Sequence, residues 1–359
     1  MNIIFLIGQL RYSGAENVLR CIATEIAHAG HNVEIMVRAE GYENETLPDV
    51  TIKYCGAKGN ALQRRLGRNK KIRNEINDFK ADVVIGFGFP MNFDAVAASI
   101  GTSAKSIICE RMDPYTCSEN KQFEFQKKIY YKFADGYVVQ TPSIQKFYRE
   151  HYAGKKKVAV IPNPVRQGFS SIPERNTTED YLVTVGRLDD KQKNQSMLIK
   201  AFSKVENKYP QLKLYIAGEG PDREKYEKLI ETLGLEKKVT LLGNVSDPTS
   251  VVKDATLFIM TSNHEGMPNA LIEAMAQGKP CISTRCSGGG AEYLIHDGEN
   301  GILIDCNDVE ACARSIDLLM SDESKRNRLG EKAFEVNRML NVEVITNRWI
   351  DYISEICRK

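Results

Sequence analysis

Asn263-His-Glu-Gly-Met-Pro-Asn-Ala-Leu-Ile-Glu-Ala-Met-Ala-Gln-Gly-Lys-Pro280 decides how this chain is read. It sets Glu265 and Glu273 eight positions apart across the start of a predicted helix. Pro268 suits the first helical position, where a missing N–H costs nothing. Residues 270–277 are good helix formers, and Gly278 ends the run. Glu265 then falls in the loop leading into the helix, and Glu273 lies one to two turns inside it. The unsatisfied N–H groups of a first helical turn make an anion site. A loop carboxylate, phosphate-ready amides and a second carboxylate along the helix suit a nucleotide sugar, whose ribose hydroxyls a carboxylate can accept. A capped amphipathic helix with solvated acids has the same spacing, so the neighbouring residues decide between the two.

Strand-like residues 256–260 run straight into the motif, and residues 280–284 follow it as another strand. In open α/β sheets, ligands bind beyond the carboxyl ends of the strands. With these neighbours the segment resembles the E-x7-E region of retaining GT-B glycosyltransferases of family 4. The resemblance implies an α/β GT-B fold, two Rossmann-like domains facing a central cleft.

Bulk properties agree with two domains, since 359 residues exceed one compact core. Nine scattered cysteines, odd in number and without a C-x-x-C pair, predict reduced thiols in a cytoplasmic protein. The opening Met1-Asn-Ile-Ile-Phe-Leu-Ile-Gly8 lacks a basic n-region and is too short for a signal peptide. No apolar run approaches the roughly 20 residues of a spanning helix. Net charge is +2, but residues 1–165 carry 23 Lys/Arg against 17 Asp/Glu, and the remainder 26 against 30. The excess gathers in Arg64, Arg65, Arg68, Lys70, Lys71 and Arg73, and again in Lys155, Lys156 and Lys157. Such runs suit an anionic membrane face or a lipid-diphosphate acceptor better than nucleic acid, and a solvated basic face is the plainer reading.

Short Val/Ile-rich runs at 3–7, 33–37, 83–85, 137–139 and 158–161 read as buried parallel strands with helical patterns between them. Ser13 and Glu16 form a capping-box signature ahead of Val18, Leu19, Ile22 and Ile26, and Gly30 closes that helix. A first domain is expected over 1–165, a polar connector over 166–180, and a second domain over 166–339. Strands of the second are expected at 181–185, 212–217, 239–242, 256–260, 281–284 and 301–304. The resemblance implies that the last helix, within 340–359 and carrying Trp349 and Tyr352, crosses back to the first domain.

Val185-Gly-Arg-Leu-Asp-Asp-Lys-Gln-Lys-Asn-Gln195 puts Arg187 and Lys193 in one βα loop ahead of a helix at 196–205. A planar guanidinium forks onto phosphate oxygens and an ammonium acts as a point charge, so the pair suits a diphosphate. The segment resembles the family's G-R-L…K-N, with one extra residue, and alignment on Lys-Asn favours Lys193 over Lys191. Asp189-Asp190 is not a D-x-D metal motif. With two cations to neutralise a leaving diphosphate, neither a metal nor any other cofactor is expected.

Three further loops follow predicted strands. Ala217-Gly-Glu-Gly-Pro221 is a weak dinucleotide fingerprint, because Pro221 interrupts it. The resemblance places this turn, with Gly218, and the loop holding Asn244 and Val245 beside the nucleotide base. Gly8-Gln-Leu-Arg-Tyr-Ser-Gly-Ala-Glu16 resembles the family's glycine loop near the donor phosphates, with Gly14 at a helix start. Tyr12, in that loop, is a candidate acceptor contact, as are Glu110 and Arg111 of Cys109-Glu-Arg-Met-Asp-Pro114. An ion pair between Glu110 and Arg111 that supports the site is the alternative. Arg111 stands where related enzymes often have a histidine touching the sugar. Ser287-Gly-Gly-Gly-Ala-Glu292 resembles a family loop that usually contains proline, and His264 is read as a hydrogen-bond partner beside the sugar pocket.

Taken together, the resemblance implies a retaining transferase that moves a hexose or N-acetylhexosamine from a UDP-sugar, with α linkage. The acceptor is a saccharide or a polyprenyl-diphosphate-linked saccharide of the cell envelope. Arg187, Lys193 and Glu265 are the catalytic candidates. Donor contacts are expected from Gly14, Arg187, Lys193, Gly218, Asn244, Val245, Glu265, Gly266, Met267, Pro268, Asn269, Leu271 and Glu273. Basic and aromatic residues mingle at 123–133 (Lys127, Lys128, Tyr130, Tyr131, Lys132), which suits peripheral contact with a membrane's inner face. A nucleotide-sugar epimerase and a catalytically silent sugar-nucleotide-binding subunit are the alternatives.

Overall fold

A computed structural model describes residues 1–359 except 12–13, 43–44, 117–120, 167 and 359, and side chains except also 121–123. The chain divides into two compact units, Met1–Arg166 with Val342–Lys359, and Gln167–Asn341. In the first unit, described strands β1 (Asn2–Ile7), β2 (Asn32–Val37), β3 (Val50–Tyr54), β4 (Val83–Phe87), β5 (Lys105–Cys109), β6 (Gly136–Val139) and β7 (Val158–Val160) form one sheet. Its order is β3-β2-β1-β4-β5-β6-β7, and every pairing is parallel. A parallel sheet is covered on both faces, which is why its strands are apolar throughout rather than alternating. Ile3, Ile4, Phe5 and Leu6 are all fully buried. Val50–Tyr54 departs from the sequence reading, which placed no strand there. It is a half-buried edge strand, so its apolar signal is diluted by Thr51 and Lys53.

Helix Gly14–His28 buries Val18, Leu19, Ile22 and Ile26, the stripe its spacing dictates. Ser13 lies outside the described residues. Helix Ala61–Asp78 opens with a capping box in which Asn60 and Gln63 satisfy each other's backbone N–H. Helix Val342–Cys357 belongs to the first unit. Trp349 is fully buried there, edge-on to Phe5 with ring centroids 6.2 Å apart. Tyr352 Oη accepts from the Tyr137 N–H at 2.8 Å and donates to the Lys157 carbonyl at 2.9 Å. A Cβ at Gly136 would lie 2.5 Å from that hydroxyl, so glycine is required beside it.

The second unit holds β8 (Tyr181–Val185), β9 (Lys213–Ala217), β10 (Val239–Gly243), β11 (Leu257–Met260), β12 (Cys281–Thr284) and β13 (Ile302–Ile304). Their order is β10-β9-β8-β11-β12-β13, again all parallel. The order reverses direction between β8 and β11, the topological switch point where such sheets bind ligands. Helix Gln195–Val205 packs Leu198, Ile199 and Phe202 into the core with Leu214, Ile216, Leu257 and Ile316. No helix among the described residues is long and apolar enough to cross a membrane.

Lys279 is a buried cation in this unit, donating to the carbonyls of Lys253 and Ala255 (3.3 Å to the latter). Burial, reinforced by the nearby Arg175 charge, pulls its ammonium down to about 8. The unfolded chain keeps that proton up to the ordinary lysine range, so the penalty of burying the charge is full below pH 8. It fades as pH rises from there toward 10.5. Urea unfolding of the wild type is therefore expected to gain about 3 kcal/mol relative to Lys279→Met across that window. Parallel pH profiles for the two proteins would contradict the assignment.

Candidate active site

At the carboxyl ends of β8, β9, β11 and β12, backbones approach so closely that only glycine fits. A Cβ at Gly218 would meet the Gly186 carbonyl at 2.0 Å, one at Gly220 the Leu188 carbonyl at 2.2 Å, and one at Gly290 the Gly266 carbonyl at 2.2 Å. The Lys193 stem passes over Gly186, 3.4 Å from where a Cβ would be. These approaches bring the loop after β9 against the loop after β8, and the loop after β12 against the loop after β11.

Lys193 Nζ forms an ion pair with Glu265, whose Oε1 also accepts from Ser262 Oγ at 2.9 Å. Glu265 is buried, and its N–H donates to the Ser287 carbonyl at 3.2 Å. The cation of one predicted motif and the carboxylate of the other thus meet, though 72 residues separate them. Gly266, Met267 and Pro268 are buried beside them, while Asn269 is half-buried at the start of helix Asn269–Ala276. Pro268 is the residue before the helix rather than its first position, with extended backbone (φ −78°, ψ 102°). Helix starts are hard to fix to one residue from sequence, because proline suits both sides of the boundary. Leu271 is fully buried, and Glu273 is half-buried on the same helix.

Arg187 is exposed, and among the described residues nothing engages its guanidinium. Its carbonyl accepts from Gln195 Nε2 at 2.9 Å. Gly218 adopts φ +140° and donates its N–H to the Gly243 carbonyl at 2.8 Å, which ties the β9 turn to the loop of Asn244 and Val245. Asn244 is exposed and Val245 half-buried. Asp190 serves the fold: it accepts from the Ser196 N–H at 3.0 Å, Tyr226 Oη at 3.0 Å and Lys225 at 2.6 Å. Burial pushes its carboxyl up, and these donors outweigh that and hold it below the usual carboxylate range.

Sequence reasoning missed Asn194, which locks the site. It stands at φ +49°, ψ +43°, in the left-handed region, immediately before helix Gln195–Val205. Its Nδ2 donates to Asn263 Oδ1 at 3.1 Å and Asn307 Oδ1 at 2.9 Å, and its carbonyl accepts from Thr261 Oγ1 at 2.9 Å. Asn263 in turn donates its N–H to the Gln192 carbonyl at 2.8 Å and its Nδ2 to the Lys191 carbonyl at 3.1 Å. The left-handed turn points Lys193 toward Glu265, and the amide bonds hold it there. The Lys-Asn dipeptide and Asn263, which opens the decisive stretch, were the available signals. Asn194→Ala is expected to destabilise the second unit by about 2–4 kcal/mol, combining left-handed strain with lost buried hydrogen bonds. Asn194→Gly should recover about 1 kcal/mol of that in urea titrations, because glycine tolerates the backbone. Equal stabilities would show that the conformation is not held by the side chain.

In the first unit, Gly14 is exposed at the start of its helix. Tyr12 lies outside the described residues. Glu110 is buried at the end of β5, accepting from the Arg111 N–H at 3.1 Å and from Tyr148 Oη at 2.6 Å. The two side chains do not form the ion pair that was the alternative reading. Arg111 instead reaches Asn163 Oδ1 and lies over the Phe87 ring at 4.5 Å. Burial lowers its pKa, because the groups touching the guanidinium are neutral. Among the described residues no three His, Cys, Asp or Glu side chains gather as metal ligands would.

Comparison with known proteins bears on the family and the fold. Residues 166–336 match the model of glycosyl transferases group 1, and residues 12–167 match that of glycosyltransferase family 4. The chain is 29% identical over 366 residues to a Campylobacter jejuni enzyme, covering 99% of each chain. That enzyme is GalNAc-alpha-(1->4)-GalNAc-alpha-(1->3)-diNAcBac-PP-undecaprenol alpha-1,4-N-acetyl-D-galactosaminyltransferase. This chain is 34% identical over 251 residues to an uncharacterised glycosyltransferase of Methanocaldococcus jannaschii, a match that spans 64% of this chain and 62% of that one. The crystal structure of HepE from Anabaena in complex with UDP and glucose superposes with a TM-score of 0.81 at 19% identity, covering 99% of both chains. The chain belongs to the family 4 glycosyltransferases and has their GT-B fold.

Proposed function

We propose that the chain is a retaining transferase that moves a hexose or N-acetylhexosamine from a UDP-sugar to a saccharide or polyprenyl-diphosphate-linked acceptor. The product is an α-glycoside of the cell envelope, made at the cytoplasmic side of a membrane. The observation that carries this reading is the ion pair of half-buried Lys193 with buried Glu265 at the switch point of the second sheet. Support for the donor comes from HepE, solved with UDP and glucose, and for the acceptor from the Campylobacter enzyme, whose acceptor is an undecaprenol diphosphate saccharide.

In the free protein Lys193 neutralises Glu265. A bound diphosphate competes for that ammonium, and Glu265 is then released to accept from sugar hydroxyls. Exposed Arg187 forks onto the phosphate oxygens. Glu273 accepts from the ribose hydroxyls, and the first-turn amides after Pro268 receive anionic or hydroxyl oxygens of the donor. The acceptor oxygen attacks C1 on the face the diphosphate leaves, the C1–O bond breaks, and a donor phosphate oxygen takes the acceptor proton. Charge on the leaving diphosphate is the largest change in this step, and Arg187 and Lys193 stabilise it where it develops. With two cations there, a divalent metal is not needed.

A UDP-release assay over UDP-Glc, UDP-Gal, UDP-GlcNAc and UDP-GalNAc, with EDTA and a mixture of lipid-diphosphate saccharides, tests this. Acceptor-dependent release from one donor is the expected result. Donor binding or isomerisation without UDP release would overturn it in favour of a binding subunit or an epimerase.

A further inference from the structure

Helix Asn269–Ala276 carries Glu273 and follows the loop of Glu265, so where this helix sits decides where both carboxylates sit. It has only 8 residues and is about 12 Å long, so a displacement at its far end reaches Glu273 within one turn. That far end lacks a donor of its own. The Ala276 carbonyl would ordinarily accept from the N–H four residues on, but that residue is Pro280, which has none. Asn337 supplies the missing donor, its Nδ2 lying 2.8 Å from the Ala276 carbonyl. Gln277, fully buried, donates in turn to the Glu273 carbonyl at 3.2 Å, which ties the helix end back to the carboxylate's own residue.

Asn337 does more than cap this helix. Its Nδ2 also donates to the Phe334 carbonyl at 3.0 Å, and its Oδ1 accepts from the Phe169 N–H at 3.1 Å. Phe169 lies near the start of the second unit and Asn337 near its end, so both chain crossings converge on the donor helix. Packing closes on the same point. A Cβ at Gly278 would lie 2.8 Å from Ile172 of the connector, and one at Gly330, on helix Glu323–Ala333, would lie 2.3 Å from the Gly278 carbonyl. A carboxamide is the side chain that fits, since it accepts and donates twice at once. A carboxylate cannot donate, and a hydroxyl donates only once.

We propose that Asn337 is a positioning residue for the donor. It ties the end of helix Asn269–Ala276 to the connector, and so holds Glu273 and the first-turn amides where a nucleotide sugar meets them. Close packing at Gly278 passes any slackening of the clamp into the helix rather than absorbing it. The proposal rests on the donor reading given above, and half of its test requires no nucleotide.

Full-length wild type, Asn337→Asp, Asn337→Ala and Ile230→Val are compared by amide hydrogen exchange without nucleotide, then by calorimetric titration of UDP. Ile230→Val trims a buried core side chain of the second unit away from the clamp, and so controls for stability alone. Amides of residues 270–279 are expected to exchange roughly fivefold faster or more in both Asn337 variants than in Ile230→Val, one lost hydrogen bond's worth. Amides of residues 168–176 should speed up in Asn337→Ala but not in Asn337→Asp, whose carboxylate still accepts from Phe169. UDP binding should weaken by about fivefold or more in both Asn337 variants and stay at the wild-type value in Ile230→Val. Asn337→Asp carries the test where Asn337→Ala does not fold. Helix exchange in Asn337→Asp matching that in Ile230→Val would overturn the clamp. Faster exchange with wild-type UDP affinity would overturn the positioning role and leave a structural cap. Wild type that binds no UDP would overturn the donor reading and this proposal with it, an outcome the nucleotide-free exchange keeps distinct from failure of the clamp.

Discussion

Lys193→Ala is expected to lower kcat by roughly 10²–10³, a loss of about 3–4 kcal/mol of transition-state stabilisation. In the proposed mechanism the ammonium faces the point where the diphosphate gains charge as the sugar leaves, and alanine removes that charge from a largely buried place. The substitution also strands Glu265, which of its side-chain partners Lys193 and Ser262 keeps only the Ser262 hydroxyl at 2.9 Å. An uncompensated buried carboxylate repels the incoming diphosphate, so KM for the donor should rise as well. Glu265→Gln separates the two effects. It removes the repulsion while leaving Lys193, so Lys193→Ala with Glu265→Gln should recover donor KM without recovering kcat. Near wild-type turnover in Lys193→Ala would remove Lys193 from the chemistry.

Trp349→Ala is expected to destabilise the first unit by about 3–5 kcal/mol. Trp349 is fully buried between helix Val342–Cys357 and β1, against Phe5, so its loss leaves a cavity that a docked helix and a seven-stranded sheet cannot close. The indole N–H has no partner in its buried position. Trp349→Phe therefore keeps most of the stability, since no hydrogen bond is lost with the nitrogen. Trp349 is the sole tryptophan, so wild-type fluorescence reports unfolding at this contact directly. Equal denaturation midpoints for Trp349→Ala and wild type would show that the helix does not stabilise the first unit.

The decisive stretch was legible because its signals are local. Proline, a run of helix formers and a closing glycine define one helix, and the strands on either side place it in a parallel α/β sheet. The Lys193–Glu265 pair was not legible as a contact, because the residues lie 72 positions apart and only the sheet order brings their loops together. The same holds for Asn194, whose partners Asn263 and Asn307 are 69 and 113 positions away. A lone asparagine in a polar loop reads as a turn, and its left-handed backbone shows only in three dimensions. Glu110 and Arg111 form an adjacent acid–base pair in sequence, yet Tyr148 and Asn163 draw the two side chains apart. The run 64–73 reads as one basic face, but helical geometry turns some of its cations inward to Asp94 and to backbone carbonyls.

The claim that the carboxyl-end loops of the second sheet bind a nucleoside diphosphate is tested most directly by calorimetric titration of UDP and of uridine, in EDTA. UDP is expected to bind wild type at least tenfold more tightly than uridine does. That difference should collapse in Arg187→Ala, because the guanidinium acts on the phosphates alone. Equal affinities for UDP and uridine in wild type, or an undiminished preference for UDP in Arg187→Ala, would contradict it.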